Sequence, residues 1–364
     1  MKAPTAAFWA GRRVLITGHS GFKGSWLAFW LSKLGARVTG FALPPSTKPA
    51  AFTAMNIEKR IDSQFGDIRD ERALRDVFAA AQPEVVFHLA AQATVRAAHL
   101  QPVETFDVNV MGTVRLLDAI RQTPSVRAVL VVTSDKCYAE RASRQRPYVE
   151  ADSLGGSEPY AASKACAEIV TLAYRQAFLA EGNVRVATAR AGNVIGGGDW
   201  TACRLVTDLV RALKAGHRLE LRYPRATRPW QHVLEPLCGY LLLAEQLANG
   251  RRSYARAWNF GPDCSDVTSV EEFVARFEHA WGAVAARVVA ATPGPPEALY
   301  LSLDSGLARR ELGWRCRLTL DEAIDWTVRW YQSAHCERDA NDITDAQIQQ
   351  YLVAPEIALH AASA

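Results

Sequence analysis

The sequence predicts an α/β protein, with a doubly wound parallel sheet in its first half and a smaller second unit behind it. Three observations predict this. Short apolar runs alternate with helical patterns of roughly 10–20 residues over the first ~190 positions. The runs are nearly continuous, the pattern of strands buried on both faces. A glycine-rich turn joins the first run to the first helix.

RRVLITG reads as a strand, SWLAFWLSKLG as a helix and ARVTGFAL as a strand. A third strand is expected just before FGDIRD. DERALRDVFAAAQ is a helix, PEVVFHLAA a strand and TFDVNVMGTVRLLDAIRQ a helix. VRAVLVVTS is a strand, PYAASKACAEIVTLAYRQAF a helix and VRVATARAGNV a strand. Such repetition means βαβ units. Past residue 190 the rhythm breaks at GGGDW, YPRATRPW, FGPD and TPGPPEA. The expected division is 1–190, together with parts of 230–262, and 191–364. The polar stretch from about His335 reads as a loosely attached tail.

With 364 residues the chain can bury one large core or two modest ones. Apolar residues make up 49% and charged residues 22%, as in ordinary soluble enzymes. A net charge of +4 is too mild to argue for nucleic acid, and a few arginines facing an anionic small molecule explain it equally well. Seven cysteines stand singly with no C-x-x-C, which argues against a disulfide framework and a zinc site and for a reducing cytosol. MKAPTAAFWAGRR lacks the apolar region of a signal peptide. No apolar run approaches the ~18 residues that span a bilayer. The expectation is a cytoplasmic protein with no metal, nucleic-acid or membrane partner.

ITGHSGFKGSW follows the first strand and opens into a helix. Gly18, Gly21 and Gly24 allow a tight turn and close approach of backbone to a pyrophosphate, which the helix N-terminus favours. The acid usually found about 20 residues on, for the ribose hydroxyls, is missing. The second strand ends at Phe41-Ala42-Leu43, and Ser46, Thr47 and Lys48 follow. NAD is expected, with NADP left open because hydroxyls and a lysine also suit a 2′-phosphate. Asp67 is a candidate for the adenine edge or a loop acid.

Tyr160 and Lys164 lie four apart on one helix face, behind Pro159 at the first helical position. A phenol near pKa 10 is a poor base at neutral pH. A lysine ammonium and an oxidised nicotinamide beside it would favour the phenolate. Such a tyrosine takes a proton from a sugar hydroxyl while hydride leaves the same carbon. TSDKCY puts Ser134, Asp135 and Lys136 at the end of a buried strand.

The glycine motif and Y-x-x-x-K, in a chain of this length, resemble the extended short-chain dehydrogenase/reductase family. Members that act on nucleotide sugars are similar over nearly the whole chain. TGHSGFKGSW, VTSDKCY, ARAGNVIGGGDW, RPWQHVLEPL and AWNFGP, spread over residues 17–262, are similar to the 4,6-dehydratases of that family in their CDP-sugar branch. The resemblance implies a Rossmann-type doubly wound sheet binding NAD tightly, a smaller C-terminal nucleotide-sugar domain, and a homodimer or homotetramer. The implied reaction turns CDP-D-glucose into CDP-4-keto-6-deoxy-D-glucose and water, supplying deoxysugars for surface polysaccharide such as O-antigen. It oxidises C4, eliminates water across C5 and C6, and returns the hydride to C6.

The same resemblance implies the roles. Ser134 bonds the 4-hydroxyl, Tyr160 and Lys164 take the O4 proton, and Asp135 is the acid for the leaving 6-hydroxyl. Lys136 stands where dTDP-sugar relatives have a glutamate base. It acts as the C5 base or stabilises the enolate. Gly18, Gly21, Phe22, Lys23 and Gly24 are assigned to the cofactor, as are Asp67, Ile68, Ala90 and Ala91. Substrate candidates are Asn193, Arg204 and Arg228, with Gln92 and Thr94 lining the pocket. Trp200, Trp230 and Trp258 read as core, and His232 as structural or substrate-side. The rivals are another dehydratase or a 4-epimerase of the family, which needs no Asp135 acid, and a non-catalytic NAD(P)H-responsive binding protein.

Overall fold

In the computed structural model, residues 2–141, 146–262, 267–290, 300–334 and 337–354 are described. The TPGPPEA segment, Cys264 and Cys336 lie outside them. Seven parallel strands make the central sheet: β1 (Arg13–Thr17), β2 (Arg37–Ala42), β3 (Asp62–Phe65), β4 (Val85–His88), β5 (Ala128–Val132), β6 (Arg185–Ala191) and β7 (Ala257–Phe260). Their order is β7-β6-β5-β4-β1-β2-β3. The chain starts mid-sheet, runs out to β3 and returns to β4 beside β1, with Val14 in register with Val38 on one side and Val85 on the other. The strand order reverses between β1 and β4, where ligands bind beyond the carboxyl ends of such sheets.

Alternate strand residues feed two cores. Ile16, Phe87, Leu130 and Ala187 face α1 (Phe22–Lys33) and α6 (Leu234–Ala248). Leu15, Val86, Val129 and Val186 face α2 (Glu71–Ala81), α3 (Gly112–Arg121) and α4 (Pro159–Ala177). α6 is buried on all sides because it lies between β5–β6 and the later helices. Of those, α5 (Leu205–Ala215) borders the cleft together with the first residue of α7 (Val270–Trp281); α7 packs on α8 (Leu320–Ser333), and α8 on α9 (Glu337–Val353).

α9 corrects the reading of a loose tail. Ala340, Thr344, Ile348 and Tyr351 form one buried face at i, i+4, i+8, i+11. Trp330 Nε1 donates to Thr344 Oγ1 at 2.9 Å, and the Tyr351 hydroxyl to Glu235 Oε2 at 2.7 Å. Glu235 Oε1 also accepts from the backbone of Arg317 and Leu318. Burial lifts this carboxyl to about 7. No helix among the described residues is long and apolar enough to cross a membrane.

Candidate active site

A cleft of about 770 Å³ runs over the carboxyl ends of β1, β4, β5 and β6. One end is lined by Leu43, Pro44, Ser46 and Asp67, the other by Leu219–Tyr223, Val270 and Asp208. Every site residue assigned from the sequence lines it: Gly18, Gly21 to Gly24, Asp67 and Ile68, Ala90 to Thr94, Ser134 to Lys136, Tyr160, Lys164, Asn193, Arg204 and Arg228.

The glycine turn is shaped by contact. Gly18 has φ +81°, and a Cβ there would lie 2.6 Å from the Ala90 nitrogen. A Cβ on Gly24 would lie 2.1 Å from the Gly18 oxygen, so only glycine lets α1 start on the loop. At Gly21 a Cβ would meet nothing closer than 3.5 Å. Its missing side chain therefore serves whatever enters the cleft. No side chain caps α1, and no acid stands in its first turn, which leaves its N–H groups to an anion. These features fit a dinucleotide pyrophosphate.

At the adenosine end Ser20 Oγ donates to the Leu43 oxygen at 2.7 Å, and Thr47 and Lys48 do not line the cleft. Asp67 receives bonds from Arg69 on both oxygens, Oδ1 from Nε at 3.0 Å and Oδ2 from Nη2 at 2.6 Å. Arg69 holds its carboxyl below the usual range. The π-turn Asp107–Met111 brings Asn109 to the 90–94 loop: its Oδ1 accepts from Gln92 N at 2.8 Å and its Nδ2 donates to the Gln92 oxygen. Gln92 Oε1 accepts from Thr94 N, while Gln92 Nε2 is buried without a partner. An unpaired amide facing a cleft points to a missing acceptor.

At the catalytic end, Ser134 caps the short turn Asp135–Cys137 and donates to Asp135 Oδ1 at 2.8 Å. It also lies beside Tyr160 and favours the ionised form of that phenol. Asp135 Oδ2 is buried and unpartnered. Burial pushes this carboxyl up against the opposing bond from Ser134 and the charges of Lys136 and Arg228. Gly192 makes the room, since a Cβ there would come within 3.1 Å of Oδ2. Glu158 caps α4 by accepting from Tyr160 N and Ala161 N, both at 2.8 Å. Lys164 Nζ donates to the Val132 oxygen at 3.3 Å, and burial lowers its pKa to about 8.

Tyr160 departs from expectation. Burial drives its pKa up to about 12, with Asp135 and Glu158 adding to this and Ser134 and Arg204 opposing it. The protein alone thus keeps the phenol protonated, because desolvation outweighs the nearby cations. Arg204 is anchored to Asp199 at 2.6 Å. Lys23, at the first turn of α1, is lowered to about 8 by burial and then by Lys164 and Arg204. Arg228 is buried and donates to the Thr227 oxygen at 2.9 Å. Trp258 and Trp230 are core, Trp230 stacking on Phe273, and half-buried Trp200 packs edge-on to Tyr331. His232 is buried between Trp26 and Trp326.

Asp199, Glu158, Asn109 and Gly192 escaped the sequence reading. Only Glu158 carried a local signal, an acid directly before a proline that opens a helix.

A cofactor cleft at the switch point of a doubly wound sheet, with Ser, Tyr and Lys beside it, defines a dinucleotide-dependent enzyme. The chain belongs to the NAD dependent epimerase/dehydratase family, which it matches over residues 14–261, and NAD is its cofactor. It is 42% identical over 352 residues to a CDP-glucose 4,6-dehydratase of Salmonella typhimurium, covering 95% of this chain and 98% of that protein. A dTDP-glucose 4,6-dehydratase of Streptomyces venezuelae crystallised with NAD superposes with a TM-score of 0.75 at 26% identity, over 88% of this chain and 97% of that one. A UDP-glucose 4-epimerase of Thermotoga maritima shares the fold, with a TM-score of 0.77 at 21% identity over 88% of this chain and 98% of its own.

Proposed function

We propose that the protein dehydrates CDP-D-glucose to CDP-4-keto-6-deoxy-D-glucose. The observation that carries this is Asp135: a buried carboxyl, pushed up and unpaired at Oδ2, beside Ser134 and Tyr160. An epimerase has no use for such an acid, whereas expelling the 6-hydroxyl as water requires one. The likeness to the Salmonella enzyme supports the CDP-sugar.

Gly18, Gly21, Phe22, Lys23 and Gly24 with Asp67, Ile68, Ala90 and Ala91 would hold NAD, which would supply reversible oxidation at C4 and reduction at C6. The positive charge of a bound oxidised nicotinamide would offset the burial that keeps Tyr160 protonated. Ser134 orients the 4-hydroxyl, and Tyr160, with Lys164 behind it, accepts the O4 proton. The ketone acidifies the C5 proton, which Lys136 removes. Asp135 delivers its proton to O6 as water leaves. Gln92 Nε2 and Thr94 face the sugar, and Asn193, Arg204 and Arg228 the diphosphate. The unit 1–190 with parts of 230–262 serves the cofactor and 191–364 mainly the substrate. A homo-oligomer forms through the exposed apolar side chains of Val103, Met111, Ile169 and Leu172 on two packed helical segments. The protein works in the cytoplasm, in keeping with the free thiols of Cys137 and Cys238.

The test is a panel of nucleotide-linked glucoses read by mass spectrometry. CDP-glucose should lose one water. Substrate deuterated at C4 should give product deuterated at C6, and heavy water should label C5. Oxidation without loss of water would overturn the reading.

A further inference from the structure

Beneath the cleft lies a buried ion pair that the reaction does not touch. Glu168 on α4 receives four hydrogen bonds. Oε1 accepts from Thr133 Oγ1 at 2.5 Å and Arg190 Nε at 2.8 Å, and Oε2 from Thr188 Oγ1 at 2.7 Å and Arg190 Nη2 at 2.9 Å. Arg190 on β6 then spends Nη1 on the Tyr138 hydroxyl at 2.8 Å and the Glu150 oxygen at 3.1 Å. Tyr138 passes the chain on to Asn259 of β7 at 2.7 Å. All five side chains from Thr133, Tyr138, Glu168, Thr188 and Arg190 are nearly solvent-free. Desolvating two charges is offset only by full satisfaction of this kind.

The geometry has a second feature. Thr133 and Tyr138 are the residues that bracket Ser134, Asp135 and Lys136. Tyr160, Lys164 and Glu168 stand on successive turns of α4, one face of one helix. A single ion pair therefore touches both ends of the strand-end segment and the helix opposite it. We propose that Glu168 and Arg190 are positioning residues that clamp residues 133–138 and fix Ser134 and Asp135 against Tyr160 and Lys164, a role that rests on the proposed dehydration. Glu168 also faces Lys164 and favours its charged form, though burial remains the larger influence there.

Removing either ion would strand the other in the core, so the test cuts the clamp at its ends. Thr133→Val deletes one donor to Glu168 at constant shape, and Tyr138→Phe one acceptor of Arg190. Each variant is measured for melting temperature, for hydrogen exchange of residues 134–137 without substrate, and for kcat and KM on CDP-glucose. The expected result is exchange at least tenfold faster at 134–137, with kcat ten- to a hundredfold lower. KM should stay within about twofold, and Thr133→Ser should restore most of the rate. Unchanged exchange, or a lower melting temperature with kcat intact, would overturn the clamp. Exchange is read on the protein without substrate. Absence of turnover by the wild type would therefore count against the dehydration alone and leave the clamp to be decided by exchange.

Discussion

At Tyr160 the decisive quantity is the cost of burying a phenolate. Burial pushes the hydroxyl up to about 12, so the proton transfer proposed for Tyr160 would need the positive charge that a bound oxidised cofactor would supply. Tyr160→Phe should keep the fold and the melting temperature and cost roughly a thousandfold in kcat, within the range of general-base losses. Steady-state assay beside circular dichroism checks it. Lys136→Met should slow loss of the C5 proton more than oxidation at C4, seen in a single turnover as transient absorbance at 340 nm. No transient and an unchanged rate would make Lys136 a bystander. The strand-end trio, the tyrosine and the lysine could be read from the sequence because each pair is close in the chain. Asp199 under Arg204 could also be suspected only after folding: five residues separate them, but a loop turn aims one at the other. Glu168, Thr133 and Arg190 meet across three elements, and no spacing announces that.

Among the elements, α8 shows how a helix start reaches the cleft. Thr319 and Glu322 form a reciprocal capping box. Twelve residues past Thr319, Tyr331 donates its hydroxyl to the Asp199 oxygen at 2.6 Å, and Asp199 holds Arg204. Thr319→Ala should lower stability by about 1 kcal/mol while leaving KM for the nucleotide sugar within twofold, since Tyr331 sits three turns past the cap. Urea unfolding and steady-state kinetics read the two. Strands β1, β4 and β5 were legible because burial on both faces makes them largely apolar, and β6 because small apolar residues alternate with its buried Thr188 and Arg190. β3, DSQF, has one apolar residue, and only its position before FGDIRD marks it. β7, AWNF, is four residues long and far from its neighbours in sequence. α9 looked like a tail because its five buried side chains in seventeen residues, two of them the polar Thr344 and Gln347, leave a polar sequence around a narrow contact stripe.

For the whole molecule, buried histidines set the response to acid. Burial depresses His88 and His232 from 6.5 to about 3. The unfolded chain takes up these protons below pH 6.5 and the folded one does not. Their contribution is therefore full above that pH and is lost as pH falls toward 3, by up to about 1.4 kcal/mol per pH unit for each. Glu235 acts with opposite sign: lifted from 4.5 to about 7, it contributes fully below 4.5 and loses that contribution as pH rises through 7. Burial lowers His19 to about 4 in the same way, so with three histidines against one acid the urea midpoint should fall between pH 7 and pH 5. His232→Gln should flatten that slope, which a steeper or unchanged slope would contradict. Ile169→Arg should halve the mass seen by light scattering if the apolar helix face joins two copies.

The place of β7 also bears on how the protein is made. β6 ends at Ala191, and among the described residues its outer edge is paired by 257–260 alone. On a ribosome adding ~5–20 residues per second, the roughly 70 residues between them take several seconds to emerge. Through that interval the nascent chain carries an open sheet edge and, until α6 arrives, an uncovered apolar face on β5 and β6. That window exposes the chain to edge-to-edge association, and a slowed ribosome or a scarce chaperone would lengthen it.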